Sequence, residues 1–312
     1  KTPWGPFTNP VKTELGFDPG ILVDDDGRVY AYWGFCESHA GELNDDMCTL
    51  KKDTIVHHIM GHSKPYWITE DDGHVIPEDG FFEASSPRKI NGKYVLVYSK
   101  RYEYNKPSLG VFGSCNGFLS YKWSDSPLGE YKMGGDISFN GGEILTDENG
   151  VGTMTYQWGN NHGSLMEVNG HWYIFYHRQT GVNEYSRQAM LEPVEVAMDK
   201  DGHLFIGKIT WEKGQPVACR PVEMTSQGAH IGGLDAFKRI SAGYACHIYG
   251  STTRAYVMPV YEKDDDISAP VTDLSNGATV GFRYLNFGAN TPKTVTASLT
   301  AVFTSPSSSK VG

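Results

Sequence analysis

Apolar and polar positions alternate along this chain in short runs, and three of the runs follow one plan. The first is Ile21-Leu22-Val23, a turn through Asp24-Asp25-Asp26-Gly27, then Val29-Tyr30-Ala31-Tyr32. The second reaches Ile90, turns at Asn91-Gly92 and resumes as Tyr94-Val95-Leu96-Val97-Tyr98. The third runs from Leu165 to Val168, turns at Asn169-Gly170 and resumes from Trp172 to Tyr176. Asn-Gly and Asp-Gly supply the positive φ angles of a type I′ turn, so each phrase predicts a β-hairpin. A fourth hairpin is expected from Val194–Met198 and His203–Ile209 across Asp199-Lys200-Asp201-Gly202, and a lone strand from Gly117 to Trp123. Helical periodicity is nearly absent. Asn44 to Ile59 reads as a loop with at most a short helix.

Four-stranded antiparallel units that repeat predict a β-propeller, with a β-sandwich as the competing architecture. A sandwich does not usually repeat one hairpin phrase three times. After Arg220 the phrase disappears. Alternation then predicts strands over Ala255–Tyr261, Thr279–Tyr284 and Thr294–Phe303, in a second and smaller β-domain. The expected domains are residues 1–225 and 226–312.

A reactive side chain stands at nearly one offset before each turn glycine. These are Asp18 (27 − 18 = 9), Glu83 (92 − 83 = 9) and His162 (170 − 162 = 8). Equivalent offsets in equivalent hairpins predict that two carboxyls and an imidazole meet. Composition narrows what they could act on. The 36 glycines and 18 tyrosines suit turns and half-buried strands, and 39% apolar residues suit a packed core. The formal net charge of −10 and the lack of a basic stripe argue against nucleic acid. No apolar stretch approaches the about 18 residues of a membrane span. Five cysteines without a Cys-x-x-Cys pair argue against a zinc site, and free buried thiols are expected, Cys36 and Cys48 being the closest pair for any bridge.

Several segments resemble family 43 glycoside hydrolases. Phe17-Asp18-Pro19-Gly20 before Asp24-Asp25-Asp26-Gly27 is one. Phe82-Glu83-Ala84-Ser85-Ser86-Pro87 resembles the family's general-acid segment. Asn161-His162-Gly163-Ser164, with His171 through Arg178, resembles its axial-histidine segment, and Arg187 before Leu191-Glu192-Pro193 its substrate-pocket arginine segment. Four motifs in order are far more specific than one. Asp273-Leu274-Ser275-Asn276-Gly277 and Gly281 to Gly288 resemble a family 6 carbohydrate-binding module.

The resemblance implies an all-β fold, a five-bladed β-propeller followed by a β-sandwich-like module. It implies Glu83 as the acid that protonates the leaving oxygen, and Asp18 as the neighbour that orients it and raises its pKa. Without the resemblance, Glu83 and Asp18 would pair as acid and base. The family's base is an Asp upstream of the Asp-Pro segment, but only seventeen residues precede Asp18 and none is Asp. The first blade, much of the second and the base are therefore expected outside this chain, and the propeller and the module are expected to be incomplete.

Each residue also has a plainer reading. Asp18 before Pro19 could be turn chemistry, whereas Glu83 between Phe82 and Ala84 is costly to bury without a task or partner. His162 could touch sugar, bind an axial Ca²⁺ through water, or be a backbone-satisfied core histidine. Arg187 could grip sugar hydroxyls, pair with a carboxylate in the pocket, or sit on a surface loop. Phe17 and Trp33 are candidate walls for a pentose ring, with core packing as the competitor.

The expected function is a glycosidase of plant hemicellulose, of the β-xylosidase or α-L-arabinofuranosidase type, acting by single displacement with inversion on xylan- or arabinan-derived oligosaccharides. It requires no cofactor, a structural Ca²⁺ being the one candidate. Secretion or a periplasmic location in a bacterium is expected. The alternatives are a non-catalytic carbohydrate-binding fragment and a half-protein completed by another chain across open strand edges.

Overall fold

A computed structural model describes residues 2, 4–62, 80–103, 114–149, 152–156, 160–183, 185–250, 255–257, 269–289, 294, 296 and 298. The fold is all-β. Among the described residues, helix is limited to single 3₁₀ turns at Lys52–Thr54 and Ala242–Tyr244.

Three antiparallel meanders form the larger part. The first joins β1 (Gly20–Val23), β2 (Val29–Trp33), β3 (Glu37–Glu42) and β4 (Val56–His62) in sequence order. The second joins β5 (Phe81–Ile90), β6 (Lys93–Glu103), β7 (Ser114–Ser124) and β8 (Lys132–Phe139). A two-stranded ribbon, β9 (Ile144–Thr146) with β10 (Gly152–Met154), precedes the third. The third joins β11 (Ser164–Val168), β12 (His171–Gln179), β13 (Arg187–Met198), β14 (Leu204–Glu212) and β15 (Gln215–Arg220). The loop expected over Asn44 to Ile59 therefore ends in the start of β4.

All four expected hairpins form, by two different turns. Asn91 and Gly92 (φ +49° and +78°) and Asn169 and Gly170 (+52° and +79°) make the two-residue type I′ link. Gly27 and Gly202 instead close longer loops, in which the glycine N–H returns to the carbonyl of Asp24 and of Asp199. The aspartates select this form: Asp24 Oδ1 accepts the N–H of Asp25, and Asp199 Oδ1 those of Asp201 and His203.

Strand alternation explains how the sheets stack. In β6, Tyr94, Leu96 and Tyr98 join a core with Leu22, Tyr30, Tyr32 and Met60 of the first sheet. The intervening Val95 and Val97 join another core with Leu165, Ile174 and Tyr176 of the third. The second sheet is thus the middle layer. Two polar staples add direction. Asp24 accepts from Lys89 Nζ (2.6 Å) and Tyr94 OH (2.5 Å), joining sheets one and two. Arg88 reaches the Leu165 carbonyl (3.0 Å) and Ser164 Oγ (2.5 Å), joining sheets two and three.

The C-terminal part forms three two-stranded pairings: β16 (Leu234–Asp235) with β21 (Leu285–Asn286), β17 (His247–Tyr249) with β20 (Thr279–Gly281), and β18 (Tyr256–Val257) with β19 (Val271–Thr272). Buried polar contacts tie it to the third sheet. Arg178 donates to the Ala245 and Gly243 carbonyls (2.5 and 2.7 Å), and Glu192 accepts from Thr225 N–H and Oγ1–H (2.8 and 2.6 Å). Most of the strand expected over 294–303, and residues 258–261 of another, lie outside the described residues. Cys36, Cys48, Cys219 and Cys246 are free thiols.

Candidate active site

The first strand of each meander delivers one side chain. Asp18 stands just before β1, Glu83 near the start of β5, and His162 just before β11. Their ligand-capable atoms all lie within 4.8 Å of one another. His162 Nε2 is 2.7 Å from Glu83 Oε1. Glu83 is 5% exposed, and Asp18 and His162 are half-buried. Asp18 and His162, together with Pro19, Ala84, Ser85, Ser86 and Gly163, line an open cleft of about 340 Å³, and Glu83 lies directly beneath, in contact with His162.

Local backbone makes the meeting possible. The β5–β6 register shifts on both sides of Glu83, a bulge that breaks alternation so that Phe81, Phe82 and Glu83 are all buried in succession. Ala84 at φ +63° and Asp18 at φ +45° lie in the left-handed region, which aspartate tolerates and alanine does not favour. Such strain persists only where the surroundings enforce it. Gly20 allows β1 to approach β5: a Cβ there would lie 2.2 Å from the Ser85 carbonyl oxygen.

The charges are coupled. Burial, then the charge of Glu83, pushes the Asp18 carboxyl above its ordinary range, while His162 and Arg187 pull it back. Two carboxyls this close resist double ionisation. Behind them, His177 packs edge-on to His162 with ring centroids 5.6 Å apart. Burial, then the positive charge of Arg187 and His162, holds His177 down to about 4, so it is neutral at pH 7.

The other expected residues divide. Arg187 opens β13, is exposed, and acts electrostatically on both Asp18 and His177. Phe17 is 52% exposed and meets Phe35 edge-on at 5.2 Å; Phe35 in turn meets Phe82 at 5.0 Å. The residues before the two carboxyls thus share one aromatic brace. Trp33 is a correction. It is 8% exposed, lies in a core with Ala31, Leu43 and Leu50, and does not line the cleft. The last position of β2 points it inward, against Gly16, where a Cβ would come 2.8 Å from the indole. Pairing Asp18 and Glu83 as acid and base also fails. Their spacing is below the ~6.5–9.5 Å that admits a nucleophilic water between such a pair.

Sequence reasoning does not single out the polar set beside His162. Asn140 Nδ2 donates to the carbonyls of Asn160 (2.9 Å) and His177 (3.2 Å), and Asn161 Nδ2 to that of Gly117 (3.0 Å). Asn160 Nδ2 is 3.5 Å from His162 Nε2. The opposite ends of these groups, Asn140 Oδ1, Asn160 Oδ1, Asn161 Oδ1 and His177 Nε2, are buried without a hydrogen-bond partner among the described residues. The signal available was the Asn160-Asn161-His162 run, three polar residues just before β11.

The family of glycosyl hydrolases 43 matches residues 1–204. The chain is 29% identical over 292 residues to a xylosidase/arabinosidase of Thermoclostridium stercorarium, covering 86% of this chain and 54% of that protein. It is 25% identical over 312 residues to an arabinoxylan arabinofuranohydrolase of Paenibacillus polymyxa, covering 96% of this chain and 44% of that protein. The chain thus spans about half the length of these two relatives. Among solved structures, a family 43 arabinoxylan arabinofuranohydrolase from Bacillus subtilis is 20% identical with a TM-score of 0.45, covering 92% of this chain and 56% of that one.

Proposed function

The chain belongs to glycosyl hydrolases family 43, and from that premise we propose that it acts on plant hemicellulose, releasing xylose or arabinofuranose as a β-xylosidase or α-L-arabinofuranosidase. The observation that carries this reading is the convergence of Asp18, Glu83 and His162 within 4.8 Å, beside an open cleft that Asp18 and His162 line. Glu83 protonates the leaving oxygen. Burial, then the Glu83 charge, raises the Asp18 carboxyl, so the two groups resist ionising together. His162 holds Glu83 through their 2.7 Å contact and fixes its direction. Arg187, exposed at the rim, and Phe17, at the aromatic brace, contact the sugar. Displacement is single, with inversion. The carboxylate that activates water is a third one, distinct from the two gathered at the cleft.

In the same reading the three stacked meanders are blades of a five-bladed β-propeller over residues 1–225, and residues 226–312 belong to a carbohydrate-binding β-sandwich. The orphaned oxygens of Asn140, Asn160 and Asn161 fit a hydrated Ca²⁺, which takes oxygen ligands and keeps water. A bound Ca²⁺ would add fixed positive charge to a site that holds two carboxyls. One observation favours a second reading, sugar binding without turnover: the two carboxyls present are too close to serve as acid and base.

Nitrophenyl β-xyloside and nitrophenyl α-arabinofuranoside decide between the two. Turnover of either by the wild type, with Glu83→Gln losing far more on the unactivated disaccharide than on the aryl glycoside, is the expected result. Heat of binding with xylo- or arabino-oligosaccharides but no turnover would favour the second reading. Neither turnover nor binding would remove both.

A further inference from the structure

Away from the cleft, the last two strands of the first sheet carry a histidine cluster. His39 and His57 are direct register partners across β3 and β4. Their rings stand 5.0 Å apart and their Nδ1 atoms 2.9 Å apart. His58 comes next, at φ +56°, and its ring lies 6.3 Å from that of His39. In a regular strand successive side chains point to opposite faces. The left-handed backbone at His58 breaks that rule, so two consecutive histidines stay near the third. Glu37, two residues before His39, brings Oε2 to 3.9 Å from His39 Nε2. Trp33, tilted at 5.8 Å, backs the His39 ring. His39 is half-buried, while His57 and His58 are exposed.

We propose that this edge binds a divalent transition cation, Zn²⁺ foremost, with His39 and His57 as the two protein ligands, through Nδ1 of each, and water completing the set. Two directly opposed imidazoles cannot both aim a lone pair at one point unless something positive lies there: a proton, as in the hydrogen-bonded contact seen here, or a metal. Zinc takes nitrogen at ~2.0–2.1 Å in a tetrahedral arrangement, which sets two donor nitrogens about 3.3 Å apart. Opening the pair from 2.9 Å by about 0.4 Å is a side-chain torsion, with the Cβ atoms already held by register. Imidazole-rich donors suit Zn²⁺, Cu²⁺ and Ni²⁺ and disfavour Ca²⁺ and Mg²⁺. The consequence is mechanical. Among the described residues β4 pairs with β3 alone, and a shared cation would clamp the two strands together.

Titration calorimetry of ZnCl₂ into the chelator-stripped 312-residue chain tests the proposal. One Zn²⁺ per chain is expected, with binding weakened by about 30-fold or more in His57→Ala and in His39→Ala. Glu83→Gln, which alters the other cluster able to hold a metal, should bind Zn²⁺ as the wild type does, and excess Ca²⁺ should not displace it. Zn²⁺ should raise the melting temperature of the wild type and not that of His57→Ala, a surface substitution that leaves the core untouched. Absence of Zn²⁺ binding overturns the proposal. So does binding that survives His57→Ala but is lost in Glu83→Gln, because the metal would then sit among Asp18, Glu83 and His162.

Discussion

Glu83 is a buried carboxyl with an imidazole at 2.7 Å and a second carboxyl within 4.8 Å. A group so placed is either a structural liability or a proton donor. The two roles separate on substitution. Glu83→Gln keeps shape and the contact to His162 but cannot donate a proton, so kcat should fall about 10³-fold with the melting temperature nearly unchanged. Asp18→Asn removes the like charge. Its kcat should fall with the melting temperature nearly unchanged, because Asn keeps the turn shape but not the charge beside Glu83. Full activity in Asp18→Asn would show that this charge plays no part in the reaction. At this scale the sequence was informative about which residues meet and uninformative about why. The offsets before the turn glycines point to Asp18, Glu83 and His162, since hairpin geometry is local. The orphaned amides of Asn140, Asn160 and Asn161 were invisible, since their environment is built by chain segments far apart.

At the scale of elements, β5 matters most. Its bulge turns Glu83, and its Arg88 ties it to β11 through Ser164 and Leu165, next to His162. Burial lowers the pKa of this guanidinium, so the staple is set in a partly dry place where its hydrogen bonds count for more. Arg88→Ala should cost about 2 kcal/mol of stability. It should also lower kcat/KM, because the distance between Glu83 and His162 is no longer held from both sides. Thermal melts and kinetics on one preparation check both effects. A stable but slow variant would place the role of Arg88 in positioning alone. The hairpins were legible because Asn-Gly and Asp-Gly act within four residues. The turn type was not equally so: Asp24 and Asp199 recruit backbone N–H groups and impose the longer loop. Trp33 was misjudged for a related reason. Alternation tells which side of a strand a residue faces, not which side is the core, and Leu15, Leu43, Leu50 and Ile55 cover the side of the first sheet that Trp33 faces.

At the scale of the molecule, the sheets are held by two apolar layers and by a few buried polar crossings. Glu192 is the most exposed of these to pH. Its carboxyl is 1% exposed, and burial raises it from 4.5 to about 7 despite the hydrogen bonds from Thr225 and Tyr176. The folded state therefore holds this proton more tightly than the unfolded chain. Stability should decline as pH climbs from about 4.5 to 7 and level off above, a slope that Glu192→Gln should flatten while still accepting from the Thr225 N–H. A wild-type melting temperature that rises across this window would contradict the assignment. The all-β class and the repeated meander were legible from the spacing of apolar runs. How the C-terminal part docks was not, because it depends on single long-range contacts such as Arg178 to Gly243 and Ala245.

The claim on which the rest depends is that three first strands assemble a proton donor for a sugar-leaving group, with Glu83 as that donor. The most direct measurement is the dependence of Glu83→Gln on leaving-group acidity, using the pentoside that the wild type turns over. A dinitrophenyl leaving group needs no proton, so the variant should stay within about tenfold of wild type, while losing about 10³-fold on the unactivated disaccharide. Equal losses on both substrates, or full activity on the disaccharide, would contradict the account.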